Sequence, residues 1–464
     1  MRIYNSQTRR KEEFVPIEPG KVRMYACGPT VYDYFHIGNG RTFVVFDALS
    51  RFLRYRGYEV TLVQNFTDID DKMIRRAQQE GTTVAELGDR FIAAYQQDSA
   101  LLGIHPATVA PRATDHIGEM IALIETLVSK GYAYAAADGV YFDTQAYPEY
   151  GVLSGRDLEQ MEAGARIEVD EAKRHPMDFA LWKAQKPGEP SWPSPWGEGR
   201  PGWHIECSAM AMRYLGETID IHTGGEDLLF PHHENELAQS CGATGKPLAR
   251  YWMHTAFLNL DSVKMSKSLG NFFTVRDITK RIAPSVLRYM LISAHYRSPL
   301  NFSEELTEAA TSAYERLTTA RQSFAFLSQN GAEAVPPAQA EWIAHLSEVR
   351  AAFIAALEDD FNTAEALGVI FEFVREANTA LVPNGSRSAA AAALSLLTEC
   401  CDVLGILTET DDAAPPEVQA LCDARQDARK ARDFARADAL RDELKALGWV
   451  IEDTPQGPKL KKAT

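Results

Sequence analysis

Two short stretches of this 464-residue chain hold side chains whose types and spacing suit phosphate chemistry. The first is YACGPTVYDYFHIGNGRTF, Tyr25 to Phe43, where His36, Ile37, Gly38 and Asn39 fall between a strand pattern and a helical one. Unpaired amides and the positive dipole end of a starting helix attract anions, so a triphosphate suits that junction. Gly38 has no Cβ and lets a planar base lie against the backbone, while His36 and Asn39 carry donors for phosphoryl oxygens. Taken alone, these four residues read first as a glycine-containing turn with an N-capping asparagine. The second stretch is DSVKMSKSLGN, in which Lys264 and Lys267 bracket Met265 and Ser266. Two lysines in a small-residue loop can close over a polyphosphate and meet charge that builds in the transition state. A solvated surface loop is the alternative; the presence of both stretches makes the case.

The elements that must position these residues are visible in the pattern. A short apolar strand (Val22 to Ala26), the quoted loop, a helix from Gly40 to about Arg56 and a strand from Glu59 compose a βαβ unit, the opening of a parallel sheet. Phe43, Phe46, Leu49, Phe52 and Leu53 form the core-facing stripe of that helix. Between about Pro111 and Pro201 the pattern changes and ends in KPGEPSWPSPWGEGRPGW, which predicts an insertion splitting the sheet. From Ser303, apolar residues at Leu306, Ala310, Ala313, Leu317, Ala320, Phe324 and Leu327 predict an amphipathic helix, and helical pattern continues beyond Pro336. Past TETDDAAPPE the expectation is one charged helix and a terminal hairpin.

Composition bounds the function. The length exceeds one core and predicts roughly two to four domains. Hydrophobic residues at 45% and charged residues at 24% exclude a disordered chain. No apolar h-region opens the sequence, and the most apolar later run, Ala390 to Leu407, is broken by Glu399 and Asp402, so secretion and membrane insertion are not expected. Six scattered cysteines fit a reducing cytoplasm, and each reads first as a small buried hydrophobe. A net charge of -16 excludes a protein coated in basic residues for general nucleic-acid binding.

With HIGN and KMSKS on one chain, the sequence resembles the class I aminoacyl-tRNA synthetases, whose signatures are HIGH and KMSKS. CGPTVYDYFHIGN, NFTDIDDKMI, GWHIECSAM, GGEDLLFPHHENELAQS and DDFNTAEAL are similar to the cysteinyl branch in particular, in order along most of the chain. Asn39 departs from the pattern by replacing the second histidine; its amide donates a hydrogen bond and cannot become cationic.

The resemblance implies activation of L-cysteine by ATP with Mg2+, then transfer to the 3′ end of tRNA(Cys). It implies catalytic roles for His36, Asn39, Lys264 and Lys267, and ATP contacts from these with Gly38 and Asp227, the latter at the ribose. Thr67 and Trp203 are the implied amino-acid pocket. One zinc ion per chain is implied on Cys27, Cys207, His232 and Glu236. The residues alone offer only the i, i+4 pair His232 and Glu236, which favours His232 over His233, and two distant thiols without a CxxC spacing.

The implied fold is α/β: a Rossmann-like parallel-sheet catalytic domain split by an insertion, then an α-helical bundle and a small C-terminal α+β domain. The expected divisions are residues 1–110 and 201–250 for the two catalytic halves, 111–200 for the insertion and 251–302 for the KMSKS and stem-contact region. Residues 303–408 are the bundle and 409–464 an anticodon-binding domain, with Arg425, Arg429, Lys430, Arg432, Arg436, Lys459, Lys461 and Lys462 as candidate tRNA contacts amid acidic partners. A cytoplasmic monomer without membrane contact is expected. The alternatives are a cysteine ligase of the mycothiol-pathway type and a non-catalytic, zinc-containing RNA-binding relative.

Overall fold

The computed structural model describes residues 1–155, 173–260, 263–264, 273–381, 385–407, 415–454 and 457–462. Contacts divide the chain into two units, residues 1–310 with 355–364, and residues 311–354 with 365–464.

The first unit opens with the antiparallel pair β1 (Arg2–Asn5) and β2 (Arg10–Glu13), then β3 (Lys21–Ala26), α1 (Ile37–Tyr55) and β4 (Glu59–Gln64). The helix α1 begins three residues before the expected Gly40. The His36 imidazole is the reason: its Nδ1 accepts the Asn39 amide at 3.3 Å and caps a turn that starts at Ile37. The expected stripe of α1 is buried, and Val44, Val45 and Ala48 are buried with it, so the helix is covered on most sides. Next come α2 (Asp71–Glu80) and α3 (Val84–Leu101), the latter started by a Thr83–Glu86 capping box.

α4 (Ile117–Ser129) precedes β5 (Ala133–Ala136), β6 (Gly139–Phe142), β7 (Phe179–Ala184) and β8 (Gly199–Pro201), an antiparallel sheet in that order. The chain then forms α5 (Trp203–Leu215), β9 (Ile219–Gly225), α6 (Glu234–Thr244) and β10 (Ala249–Thr255). The central sheet is parallel with order β10, β9, β3, β4. A small sheet of β11 (Leu258–Leu260), β12 (Val263–Lys264) and β13 (Leu300–Phe302) follows, and α7 (Val275–Ile278) and α8 (Pro284–Ile292) lie between β12 and β13 in sequence.

α9 (Glu304–Asn330) realises the heptad-like apolar pattern, and α10 (Pro337–Glu358) follows it. Residues 355–364 return to the first unit, where buried Asp360 accepts from the Tyr4 amide (2.8 Å), the Tyr296 hydroxyl (2.7 Å) and Arg297. Asp360 and Phe361 hold positive φ of 64° and 49° there, a conformation these anchors must sustain.

The second unit continues with α11 (Thr363–Leu381) and α12 (Arg387–Leu404); Arg350 pairs in two bonds with Glu399, tying α10 to α12. At the end the structure corrects the expected single charged helix: there are two, α13 (Pro416–Lys430) and α14 (Phe434–Ala446), before the expected hairpin of β14 (Trp449–Thr454) and β15 (Gly457–Lys462). The break comes at Arg432, with φ of 59°, and Asp433 caps the new helix by accepting the Arg436 amide.

Inside the first unit a buried pair joins α1 to α8. Asp47 accepts from Arg288 (2.6 Å) and Arg51 (2.8 Å) and from the His105 amide (2.9 Å). Burial would raise the Asp47 carboxyl, yet the two guanidiniums and the amide outweigh it and hold it below the ordinary carboxylate range. Asp47→Ala removes a buried carboxylate that pairs with Arg288, and should cost about 3–5 kcal/mol at pH 7. Because the folded carboxyl is depressed, that contribution is complete above about pH 4 and fades as pH falls through the folded value. Urea unfolding of the native and variant proteins should therefore differ at pH 7 and converge towards pH 2.

Candidate functional site

From β3 the chain crosses through α1 to β4 on one side, and from β9 through α6 to β10 on the other. The strand order thus reverses direction between β3 and β9, and the crevice beyond such carboxyl ends is where open α/β sheets place ligands. A cleft of about 290 Å³ lies there. Its lining comes from the residues after β3 (Cys27, Gly28), the first turn of α1 (His36, Gly38, Asn39), the end of β9 (Gly225, Asp227), the residues after β10 (Ala256 to Leu258) and Trp203. With Nδ1 accepting the Asn39 amide, a neutral His36 ring carries its proton on Nε2. Asp227 is held close to Gly225, where a Cβ would fall 2.4 Å from its Oδ1.

At the Cys27 end the cleft meets a buried polar cluster. Cys27 Sγ lies 3.9 Å from Cys207 Sγ and 3.4 Å from Glu236 Oε1, and His232 Nε2 lies 2.9 Å from the same oxygen. One ligand atom from each of Cys27, Cys207, His232 and Glu236 lies within 4.8 Å of the others, and all four residues are buried. They come from four places: the end of β3, the second turn of α5, the π-helical turn Leu229–His233 and the first turn of α6. His232 and Glu236 meet as an i, i+4 pair across the junction of that turn with α6.

Around this set stands a second group that the sequence did not reveal. His222, inside β9, lies 2.9 Å from Glu236 Oε2 through Nε2, so the two carboxylate oxygens serve different imidazoles. His233 Nε2 lies 3.3 Å from Cys27 Sγ, and its Nδ1 is 2.8 Å from His254 Nε2, whose Nδ1 is 2.8 Å from the Ser6 hydroxyl. Cys27, His222, His233 and Glu236 also have ligand atoms within 4.8 Å of one another. His204 Nδ1 is 2.9 Å from His232 Nδ1, and Trp203 stacks on the His232 ring at 4.3 Å between centroids. In IDIHTGG, His222 alternates with Ile219 and Ile221 and so takes the place of a polar-face residue, which is why the sequence carried no signal of its burial.

The charges follow from this packing. Burial would raise the Glu236 carboxyl, but His222 and His232 hold it well below the ordinary range. Burial lowers the His232 imidazole, and the Glu236 carboxylate and the Cys207 sulfur override that, lifting it to about 10. The hydrogen bond from Cys27 draws the Cys207 thiol down, whereas burial pushes Cys27 up. His233 and His254 are depressed by burial and stay neutral, His254 at about 3. The Glu236 carboxylate thus faces the His232 imidazolium, with the neutral rings of His233 and His254 nearby.

Of the other residues expected from sequence, Thr67 is buried beside this cluster rather than on the cleft lining. Its hydroxyl donates to Glu206 Oε2 at 2.9 Å and accepts from Asn65 Nδ2 at 3.3 Å. Asn65 Oδ1 in turn accepts from the Gly28 amide at 2.9 Å and from the Cys207 thiol at 3.7 Å. Lys264 belongs to β12, where it pairs with Asn259 of β11, and Lys267 lies outside the described residues. Among the terminal cations, Arg425 is buried in a two-bond pair with Asp453, Arg429 reaches the same carboxylate and Lys430 pairs with Asp427. Arg432 and Arg436 are exposed, and the side chains of Lys459, Lys461 and Lys462 lie outside the described residues.

Comparison with known proteins bears on the family and the fold. Residues 13–312 match the family model for the class I (C) tRNA synthetase catalytic domain, 352–408 the DALR domain and 411–458 the cysteinyl-tRNA ligase anticodon binding domain. The chain is 57% identical over 469 residues to the cysteine–tRNA ligase of Symbiobacterium thermophilum, and 54% identical over 465 residues to that of Caldicellulosiruptor saccharolyticus. Each alignment covers 100% of both chains. Among solved structures, Mycobacterium tuberculosis methionyl-tRNA synthetase with methionyl-adenylate superposes with a TM-score of 0.60 at 18% identity, covering 83% of this chain and 89% of that one. The Agrobacterium radiobacter LeuRS–tRNA–LeuAMS complex gives 0.63 at 12%, covering 85% and 86%. These two likenesses concern the fold. A parallel sheet with its cleft at the strand-order switch, a HIGN turn at the mouth and full-length identity above half together place the chain in the class I aminoacyl-tRNA synthetases, in the cysteine–tRNA ligase family.

Proposed function

We propose that the protein activates L-cysteine with ATP and Mg2+ to cysteinyl-adenylate and transfers the cysteine to the 3′ end of tRNA(Cys). The observation that carries this reading is the convergence of two thiols, an imidazole and a carboxylate at one end of a cleft whose other end is a helix N-terminus. A cysteine carboxylate oxygen attacks the ATP α-phosphorus, the bond to the bridging oxygen breaks and pyrophosphate leaves. A hydroxyl of the terminal adenosine then attacks the carbonyl carbon and AMP leaves. Neither step needs a protein nucleophile; positioning and charge stabilisation supply the rate.

The donor set fits zinc: two sulfurs, one nitrogen and one oxygen, all buried and with ligand atoms within 4.8 Å of one another. Cys27, Cys207, His232 and Glu236 would hold one ion. When bound, it supplies a borderline-soft Lewis acid that favours a thiolate over a serine hydroxyl. Shape alone would separate the two amino acids by only about 1–3 kcal/mol. His222 and His204 orient the Glu236 and His232 donors, as outer partners of metal ligands do.

The remaining roles are assigned to this chain's own groups. His36 Nε2 and the Asn39 side-chain Nδ2 donate to phosphoryl oxygens, and Gly38 leaves the base room. Asp227 accepts from the ribose hydroxyls. Trp203, 37% exposed at the mouth, covers the bound amino acid, and Thr67 braces the wall beside Cys27. Lys264 and Lys267 meet the polyphosphate. Residues 1–110 and 201–250 are proposed as the catalytic halves around the 111–200 insertion, with 251–302 contacting the stem, 303–408 the bundle and 409–464 reading the anticodon. The cluster is complete within one chain, which fits a monomer, and its free thiols suit a reducing cytoplasm. Among the described residues no helix is long and apolar enough to cross a membrane.

The test is cysteine-dependent exchange of pyrophosphate into ATP together with charging of tRNA(Cys). Both should occur; exchange without charging would point to a mycothiol-type ligase, and neither, in zinc-replete protein, would leave an RNA-binding relative. Metal analysis should find one zinc per chain. Cys207→Ser should lower metal retention and raise the KM for cysteine by about tenfold or more, in line with loss of a metal ligand. Chelation should reduce the preference for cysteine over serine, measured as the ratio of kcat/KM values. Asn39→His should remain active and add one ionisation near pH 6.5 to the exchange profile, lowering the rate as pH rises through it; superimposable profiles would remove Asn39 from the phosphate contacts.

A further inference from the structure

Two residues beyond Asn39, Arg41 is fully buried in the second turn of α1. Among the described residues it forms no ion pair, and burial alone lowers its guanidinium to about 10. Its four terminal hydrogen bonds go to backbone carbonyls of two loops. Nη1 donates to Ala256 (2.9 Å) and Phe257 (3.2 Å), and Nη2 donates to His295 (3.1 Å) and Ser298 (2.7 Å). The same loops are stitched to each other, since the Ala256 amide donates to Tyr296 O at 2.9 Å and the Leu300 amide to Phe257 O at 3.1 Å.

A buried cation with no anionic partner is an expensive way to fill a core. Its planar fork is suited to reaching several acceptors held at fixed angles, which a lysine cannot copy. Two of the four acceptors belong to the cleft: Ala256 and Phe257, with the adjacent Leu258, line it together with His36, Gly38 and Asn39 of the turn from which α1 starts. Arg41 itself is not part of that lining. A second bond repeats the tie, with the Thr255 hydroxyl donating to Thr42 Oγ1 at 3.0 Å.

We infer that Arg41 is a positioning residue for the nucleotide: it fixes the Ala256–Leu258 wall against the His36–Asn39 turn, and so sets the gap across which ATP is held. The inference rests on the proposed reading of this cleft as the ATP site. Its action passes through the backbone carbonyls, so the nucleotide side should feel its loss and the metal cluster at the Cys27 end should not.

The experiment uses full-length Arg41→Lys and Arg41→Met, assayed by pyrophosphate exchange, zinc content and amide hydrogen exchange without nucleotide. Arg41→Met should raise the KM for ATP by about tenfold or more and Arg41→Lys by less, with the KM for cysteine and the zinc content within about twofold of native. Amide exchange should quicken at residues 256–260 and 295–300 and stay unchanged in β3 and β9. Parallel rises in both KM values, loss of zinc, or exchange quickening across the whole sheet would make Arg41 a general stabiliser and overturn the inference; so would an unchanged KM for ATP. If Arg41→Met does not fold, Arg41→Lys decides by the same criteria. Absence of exchange activity in the native protein would defeat the functional reading instead, and amide exchange would then decide whether Arg41 holds the two loops.

Discussion

Placing the Glu236 carboxylate where it has no exposed surface would cost several kcal/mol if nothing met its charge. His222 and His232 meet it, one at each oxygen and both at 2.9 Å, and Cys27 comes within 3.4 Å of the oxygen that His232 uses. These partners arrive on different elements, so β3, β9, the turn before α6 and α6 itself are tied to one point. Cys207 adds α5 to the knot, and Asn65 joins the end of β4 by accepting from Cys207 and Gly28. A shift of any one element would leave a buried polar group without its partner in the interior, which couples the positions of these elements.

The sheet explains why this knot lies beside a cleft. Parallel strands present their carboxyl ends to one edge, and reversal of strand order between β3 and β9 opens a crevice there. Cys27 is the first residue after β3, and α1 starts ten residues later with its amides at the same edge. Buried helix α1 therefore serves two needs. Its apolar faces support the sheet, while its capped first turn offers donors and a positive dipole end to an anion.

How much of this could be read from sequence varies with how local the cause is. The βαβ opening, the long helix α9 and the terminal hairpin were legible because periodicity and turn residues are short-range signals. The start of α1 was misplaced because an imidazole cap is rare and carries no pattern of its own. The break between α13 and α14 was missed because a charged run shows no interruption until Arg432 takes a positive φ. The metal-like cluster was illegible from spacing, since its members come from four segments that only the tertiary fold assembles; family resemblance alone named Cys27 and Cys207. In the sequence His233 stood out only as the neighbour passed over for His232, and His254 had no signal, because their partners Cys27 and Ser6 are distant along the chain.

The loop from Cys27 to His36 has two anchored ends, and this matters for the proposed chemistry. At its start the Gly28 amide is bound by Asn65, and a Cβ at Gly28 would fall 1.6 Å from the Asn65 carbonyl oxygen, so only glycine permits the approach. In its middle the Val31 amide donates to Thr67 O and the Thr67 amide to Pro29 O, and at its end the Ile37 amide donates to Phe273 O while Phe35 O accepts from the Val275 amide. A loop fixed in this way converts a choice made at the thiol end into a position at the phosphate end. In the proposed reaction, a side chain that does not settle against Cys27 leaves its carboxylate misplaced relative to the His36–Asn39 turn, and near-attack geometry is sensitive to displacements of about 1 Å. Selection and activation then share one rigid connection, so poor binding of the wrong side chain also becomes slow chemistry.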